Sequence, residues 1–230
     1  MERTRSGRRG LTGTSANFIK LPSELRDRVY RLCLLLQEPI DPWINYNQRQ
    51  KLTPGLLRIN KTINYEAISL FYAQNRFDFT NSTAQQIASF LETIGRDNAN
   101  YIQHVCIDFP NFSYQKPGNF TLSDSSIRIF TSIQSSCANL SALIAFAYST
   151  VNLEERLENL DNPEIVTVLK LVDTRFRAIL SLRKIIVGVY DEDPSCFVRG
   201  EMKNRGWTII VTECEKEWDA GQIGCLSWGQ

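Results

Sequence analysis

Several acidic residues stand close together in the chain, and paired carboxylates can carry out general acid–base chemistry. The groups are Asp191-Glu192-Asp193, Glu154-Glu155, and Glu213 with Glu215 and Glu217. The first group follows an apolar run, a position where α/β proteins often place a site. No glycine-rich phosphate loop, Gly-x-Ser-x-Gly elbow or His-Glu-x-x-His motif accompanies these acids. We therefore interpret them as solvated turns and expect no catalytic residue.

Histidine and cysteine side chains could bind zinc, and the chain has one histidine and six cysteines. They are His104, Cys33, Cys106, Cys137, Cys196, Cys214 and Cys225. A structural zinc site needs about four nitrogen or sulfur ligands, usually in two close pairs, and the sequence has no Cys-x-x-Cys pair. His104 lies in an apolar run, so we predict a sheet residue rather than a base. We expect no metal and no cofactor, and cysteines that pack as small hydrophobic side chains in a reducing compartment.

The overall composition is that of a globular protein without a strong net charge. Hydrophobic residues make up 43% of the 230 residues, and the formal net charge is +1, so no whole-molecule field attracts nucleic acid or anionic lipid. The longest apolar runs are far shorter than the roughly 20 residues of a membrane-spanning helix. We therefore expect no membrane association and no nucleic-acid partner, although the N-terminal arginines could contact phosphates.

Residues 1–17 contain four arginines and lack the apolar stretch of a signal peptide. We predict a disordered basic tail, with a transit peptide or a nuclear address as the alternatives. The predicted location of the protein is the cytoplasm or the nucleus.

The elements that position these residues begin with two predicted helices. Leu25, Val29, Leu32 and Leu36 recur at helical spacing, and Pro22 suits a helix start. Residues 37–51 are predicted to form a connecting loop. A second helix is predicted over residues 56–73, closed by Asn75 in a left-handed conformation.

The rest of the chain alternates between predicted strands and helices. Strands are predicted at 76–79, 104–109, 142–148, 184–190 and 208–213, and helices at 83–94, 126–137, 163–182 and 196–204. Residues 98–102 are predicted to be a turn and residues 111–123 a loop. Near-continuous apolar strands separated by helices are typical of a parallel sheet covered by helices. Because the strand starts are irregularly spaced, any solenoid would be degenerate.

The segment from Phe18 to Leu34 carries the most specific motif of the chain. It reads Phe-Ile-Lys-Leu-Pro-Ser-Glu-Leu-Arg-Asp-Arg-Val-Tyr-Arg-Leu-Cys-Leu, and related motifs follow over residues 55–67 and 70–77. This succession resembles the F-box-like domains of filamentous fungi, which read Leu-Pro-x-Glu-Leu/Ile-Arg, then Ile/Val-Tyr, and later Leu-x-Tyr-x-x-Asn-x-Phe. Glu24-x-Arg26 is also similar to a related fungal domain named for its Glu-x-Arg motifs.

The resemblance implies a helical module that binds the Skp1-type adaptor of a cullin ubiquitin ligase, while the downstream sheet holds an unknown target protein. The positions that match the adaptor contacts of the family are Leu21, Pro22, Leu25, Val29 and Leu32. The expected fold class is therefore α+β. An F-box-like helical module (18–80) precedes a strand–helix region (81–230), which is mostly a parallel, degenerate solenoid-like sheet packed on the module.

The same leucines also have a purely structural interpretation, because an amphipathic helix usually buries its apolar stripe in its own protein. In that case Leu25, Val29 and Leu32 would pack on Ile59 and Ile63. Any exposed contact would then fall on Leu21, Pro22 and Tyr30. The leading hypothesis is a non-enzymatic protein-interaction protein. The alternatives are a structural or regulatory domain that keeps an F-box-like fold without binding the adaptor, and an enzyme with an unrecognised site.

Overall fold

The computed structural model describes residues 18–43, 52–116, 119–151, 153–157, 160–191 and 194–213. The predicted tail at 1–17, part of the predicted 37–51 loop, Glu192, Asp193 and all residues after Glu213 lie outside the described residues. The α-helices within these ranges are α1 (Ser23–Leu34), α2 (Lys61–Gln74), α3 (Ala84–Ile94), α4 (Arg96–Tyr101), α5 (Asp124–Ser136), α6 (Leu153–Leu157), α7 (Asn162–Arg177) and α8 (Cys196–Asn204).

The strands are β1 (Arg76–Asp78), β2 (His104–Ile107), β3 (Phe112–Lys116), β4 (Asn119–Leu122), β5 (Ala142–Ala145), β6 (Lys184–Tyr190) and β7 (Thr208–Thr212). Short 3-10 helices occur at Phe18–Lys20, Pro54–Arg58 and Ala147–Thr150.

Five of the strands form one parallel sheet in the order β1-β2-β5-β6-β7. The prediction of a mixed helix and strand protein with a mostly parallel sheet is therefore confirmed. Strands that are neighbours in the sheet follow one another along the chain, apart from the intervening β3–β4 hairpin. In the register, Phe77 pairs with Val105, Val105 with Leu143, and Leu143 with Ile185. The intervening residues Cys106, Ala142 and Ile144 are buried as well, which explains why the strands read as continuous apolar runs.

Helices α3, α5, α7 and α8 pack on the sheet face that carries this row. Their buried side chains join the strand residues in one core cluster, in which Ile87, Phe130, Val172, Phe176 and Met202 are each at most 5% exposed. The beginnings of α3 and α7 are fixed by reciprocal hydrogen bonds between the capping side chain and the third helical residue. The face that carries the helices is thus the hydrophobic core of the molecule.

The first two helices form a smaller buried cluster. It consists of Tyr30, Leu34, Ile63, Ala67 and Leu70. Phe71 packs against both this cluster and the main core. Strand β1, at the end of the predicted module, is the edge strand that pairs with β2. The sheet therefore begins within the 18–80 range.

Asn75 has a different role from the predicted left-handed helix end. Its backbone is extended, with φ −78° and ψ 156°, and its side chain is 1% exposed. The Asn75 amide donates to the carbonyl oxygens of Leu34 and Phe71, at 2.8 and 2.9 Å, and its oxygen accepts from the Leu36 N–H at 2.9 Å. The residue therefore joins the carboxyl ends of α1 and α2.

The second helix begins later than predicted. Asn60 is extended and its side chain accepts a hydrogen bond from the Ile63 N–H at 3.0 Å, so α2 starts at Lys61. Leu56 and Leu57 lie in the preceding 3-10 helix.

Other differences occur where local composition misled the prediction. The predicted loop at 111–123 contains the antiparallel β3–β4 hairpin, and the predicted turn at 98–102 is largely the helix α4. The predicted strand at 142–148 ends at Ala145, where the chain enters the 3-10 helix Ala147–Thr150. The helix predicted to reach residue 182 ends at Arg177. After it the chain turns so that Ile179 is buried and Leu180 is 97% exposed.

In the part of the chain that the structure describes, no helix has both the length and the apolar character needed to cross a bilayer.

Candidate protein-docking surface

Helix α1 has an inner side that holds it to the rest of the protein. Tyr30 and Leu34 lie one turn apart, are each 1% exposed, and belong to the same cluster as Ile63 and Ala67 of α2. The Tyr30 ring also meets Phe18 edge to face, with ring centroids 5.8 Å apart. Packing of this kind fixes the rotation of α1 about its own axis and determines which residues face outwards.

Polar contacts reinforce the inner side. The Arg26 guanidinium donates to both oxygens of Glu66 at 2.6 and 2.9 Å, and it also donates to the Leu21 carbonyl at 2.6 Å. The Tyr30 hydroxyl donates to Glu66 at 2.8 Å. These hydrogen bonds, chiefly those from Arg26, lower the pKa of Glu66. Burial and the contact with Glu66 raise the pKa of Tyr30 to about 12. The carboxylate is therefore a charged anchor between the two helices.

The opposite side of α1 presents apolar residues to solvent. We call Leu21, Pro22, Leu25, Val29 and Leu32 the outer leucine face. Leu32 is 79% exposed and Leu25 is 48% exposed, Pro22 is exposed, and Leu21 and Val29 are half-buried. The helical spacing of Leu25, Val29 and Leu32 places them along one stripe. The outer leucine face thus consists of the five predicted adaptor-contact residues, and none of them is fully buried.

The structural interpretation of these leucines is wrong on two counts. Leu25 and Leu32 are exposed and do not belong to the buried cluster that contains Ile63, and Ile59 is itself 59% exposed. Tyr30, considered as a candidate for an exposed contact, is instead buried and bonded to Glu66. The leucine spacing alone is compatible with either a buried or an exposed stripe, and the buried stripe is the one marked by Tyr30 and Leu34, one helical turn apart. The Arg26–Glu66 pair joins two of the quoted motifs and was not identified from the sequence.

The residues considered for catalysis or metal binding are not gathered into one site. Among the described residues, no three histidine, cysteine, aspartate or glutamate side chains lie close enough to hold a metal ion. His104 begins β2, and its Nδ1 is buried without a hydrogen-bond partner in the described part of the molecule. Asp191 follows β6, and its backbone carbonyl accepts from the Arg199 guanidinium. Cys106 and Cys137 are buried free thiols.

Two hollows lie near the carboxyl ends of β1 and β2. One, of about 90 Å³, is lined by residues that include Asp108, Asn111 and Ser126, and has room for a few water molecules. The other is an open depression of about 330 Å³ beside the first turns of α3 and α5, where Asp124 and Arg128 are the charged lining residues. Neither collects ionisable groups from several strands, as a catalytic pocket would.

The outer leucine face is therefore the feature of the described residues that most resembles a binding surface. No protein-family model matches the chain, and no curated protein or solved structure matches it.

Proposed function

We propose that this protein is a non-enzymatic interaction protein, namely an F-box-type substrate receptor that binds the adaptor of a cullin ubiquitin ligase. The observation that carries the proposal is the exposure of Leu32 and Leu25 on a helix whose other side is fixed. An exposed leucine side chain is unfavourable in water, and its full burial against a partner would stabilise the complex by about 1.5–3 kcal/mol. A stripe of this kind on an ordered helix suits a partner with an apolar groove.

The anchoring of α1 supports the same proposal. A helix that is held by the Arg26–Glu66 hydrogen bonds and by buried Tyr30 loses little conformational entropy when a partner binds its outer side. The order of motifs resembles that of fungal F-box-like domains, and this resemblance is the reason for proposing the adaptor as the partner. A receptor of this class works in the cytoplasm or the nucleus, and the free thiols of Cys33, Cys106, Cys137 and Cys196 are compatible with those reducing compartments.

Direct capture of the purified adaptor by the full chain tests this function. We expect the wild type to bind the adaptor and Leu32→Asp to lose binding, because the variant places a charge within an apolar contact. Leu32 is exposed, so the substitution should change the free energy of unfolding by no more than about 0.5 kcal/mol. Val211→Asp, at a 47% exposed aliphatic residue in β7, is the matched control and should still bind.

The competing function is a structural or regulatory domain that does not bind the adaptor. It is favoured by the position of Phe71, which packs on both buried clusters and makes α2 part of the main fold. If folded wild-type protein, as judged by its circular dichroism, does not bind the adaptor at about tens of micromolar, the result would favour the competing function. Equal loss of binding in Leu32→Asp and Val211→Asp would also contradict the proposed surface.

A further inference from the structure

A second surface lies at the amino ends of β6 and β7. Because the sheet is parallel, the strands begin at one edge, and the helices that precede them end there. Arg175 lies in the last turn of α7, Lys203 in the last turn of α8, and Arg183 and Lys184 stand at the start of β6. All four side chains are exposed. We call these residues, with Leu180, the basic end.

The elements that carry the basic end are tied to one another. The Arg183 N–H donates to the Ser141 carbonyl at 2.9 Å, next to β5. The Gln134 side chain of α5 donates to the Ala178 carbonyl at 2.9 Å. The Arg177 guanidinium donates to the Arg205 carbonyl and so connects the ends of α7 and α8. The charges are therefore held on a continuous framework.

Among the described residues, the acids near the basic end already have partners, which leaves its positive charge in excess. Asp173 accepts from Arg177 at 2.9 Å and from the Trp207 ring N–H at 2.8 Å. Glu201 forms an ion pair with Arg205 at 2.7 Å.

The four cations of the basic end form no ion pair with any other residue that the structure describes. Farther along the same edge, by contrast, Arg96 and Asp97 are both exposed and their formal charges sum to zero. The four cations named above, unpaired among the described residues, lie on the β6–β7 side.

Helix dipoles account for only part of this pattern. Arg175 and Lys203 suit the negative carboxyl ends of their helices. Arg183 and Lys184 instead precede a strand, where no helix end requires them. Leu180, in the turn between α7 and β6, is 97% exposed and has no role in the core.

The combination of cations with one exposed leucine distinguishes between classes of anionic partner. A duplex nucleic acid presents phosphates and sugars on its outside and keeps its apolar base faces stacked inside, so it offers little apolar surface to Leu180. Stable attachment of a protein to a bilayer needs a long acyl chain or several apolar side chains in addition to basic residues. Leu180 alone would bury far less apolar surface than these. A polypeptide segment with acidic residues around an apolar one can satisfy both features.

We propose that the basic end binds an acidic segment of another polypeptide, with an apolar side chain of that segment resting on Leu180. The identification of this polypeptide as the target of a ubiquitin ligase rests on the function proposed above. The binding itself does not depend on that function.

Fluorescence anisotropy of the full chain with a labelled peptide tests this inference. The probe is a glutamate-rich peptide of about a dozen residues with a central leucine, and the same peptide with glutamine in place of glutamate is the neutral control. We expect the acidic probe to bind, and binding to weaken as salt rises from about 50 to about 500 mM.

Three variants localise the contact. Arg183→Glu combined with Lys184→Glu should weaken binding about tenfold or more, because attraction becomes repulsion. Leu180→Asp should weaken it several-fold. Arg128→Glu, an exposed arginine near the opposite end of the sheet, should bind as the wild type does.

Binding that is absent, that is insensitive to the Arg183/Lys184 pair, or that falls equally in Arg128→Glu would overturn the inference. Tighter binding to duplex DNA or to phosphatidylserine vesicles would do so as well, and so would salt-sensitive self-association through the same residues. Adaptor capture separates the two proposals. The Arg183/Lys184 double variant should still bind the adaptor, and Leu32→Asp should still bind the acidic peptide.

Discussion

The Glu66 carboxylate in α2 accepts two hydrogen bonds from the Arg26 guanidinium in α1, at 2.6 and 2.9 Å. The two residues are forty positions apart in sequence, so this pair fixes the first helix on the second. The same carboxylate also accepts from the buried Tyr30 hydroxyl. One charged group thus determines how the outer leucine face is presented.

Replacement of this carboxylate should loosen α1. We expect Glu66→Gln to lower the urea midpoint, because the charge that holds Arg26 is lost. The pKa of Glu66 is lowered in the fold, so its contribution is present above the ordinary pKa of a glutamate and is lost as pH falls through the lower folded value. The difference between wild type and variant should therefore shrink below about pH 4. Glu92→Gln, at an exposed residue of α3, is the control and should match the wild type throughout.

Asn75 should be among the most sensitive polar positions of the N-terminal region. Asn75→Ala removes three hydrogen bonds and leaves the Leu36 N–H and two carbonyl groups without this partner. We expect a loss of about 3 kcal/mol in the free energy of unfolding, measured by urea denaturation. Asn204→Ala, at an exposed position at the end of α8, should cost less than about 0.5 kcal/mol. Equal effects of the two substitutions would contradict the role assigned to Asn75.

His104 should make the fold sensitive to mild acid. Burial, together with the charges of Arg76 and Lys184, lowers the pKa of His104, against a weaker raising effect of a hydrogen bond with the Ala73 backbone. Below the unfolded pKa of about 6.5 protons bind the unfolded chain more readily, so stability falls as pH decreases.

His104 is the single histidine of the chain, which makes this prediction testable. We expect the thermal midpoint to fall between about pH 8 and about pH 5.5 in the wild type and to fall less in His104→Gln. The same pH dependence in both proteins would assign the titration to another group.

Two glycine substitutions should have opposite effects on the stability of the fold. A Cβ at Gly188 in β6 would lie 2.6 Å from the Ala147 backbone nitrogen and 3.2 Å from the Phe146 carbonyl carbon. Gly188→Ala should therefore destabilise the protein by about 1–3 kcal/mol. Gly200 in α8 has open space around it, and Gly200→Ala should stabilise by up to about 1 kcal/mol. Differential scanning calorimetry measures both, and a Gly188→Ala midpoint at or above that of the wild type would contradict the close contact.

The sheet was predictable because its strands are buried and apolar. Val105, Leu143, Ile185 and Val187 stand in near-continuous apolar runs, which are typical of parallel strands covered by helices, and the structure places all four in the parallel sheet. The β3–β4 hairpin was missed because its residues are mostly polar. Its pairing depends on cross-strand contacts such as Phe112 opposite Leu122, which single-strand composition does not reveal.

The candidate surfaces were predictable to different degrees. The stripe of Leu25, Val29 and Leu32 follows from helical spacing. Its outward direction does not, because that depends on where Tyr30 and Leu34 find their partners in α2. The basic end could not be predicted, since Arg183 and Lys203 come together only when the strand order is known. Leu180 falls within the predicted helix at 163–182, and its exposure follows only from the end of α7 at Arg177.

The sheet grows in one direction as the chain proceeds, and this arrangement has a consequence for folding. Each strand of the sheet is separated from its neighbour by a connection of only a few tens of residues, which usually contains a helix. The sheet can therefore assemble from an initial pair of strands by the addition of one strand at a time. Interior strands are hydrogen-bonded to a neighbouring strand on each side, whereas β7 is hydrogen-bonded to β6 alone among the described strands. We expect amide hydrogen exchange to reach β7 before β5, which lies at the middle of the array.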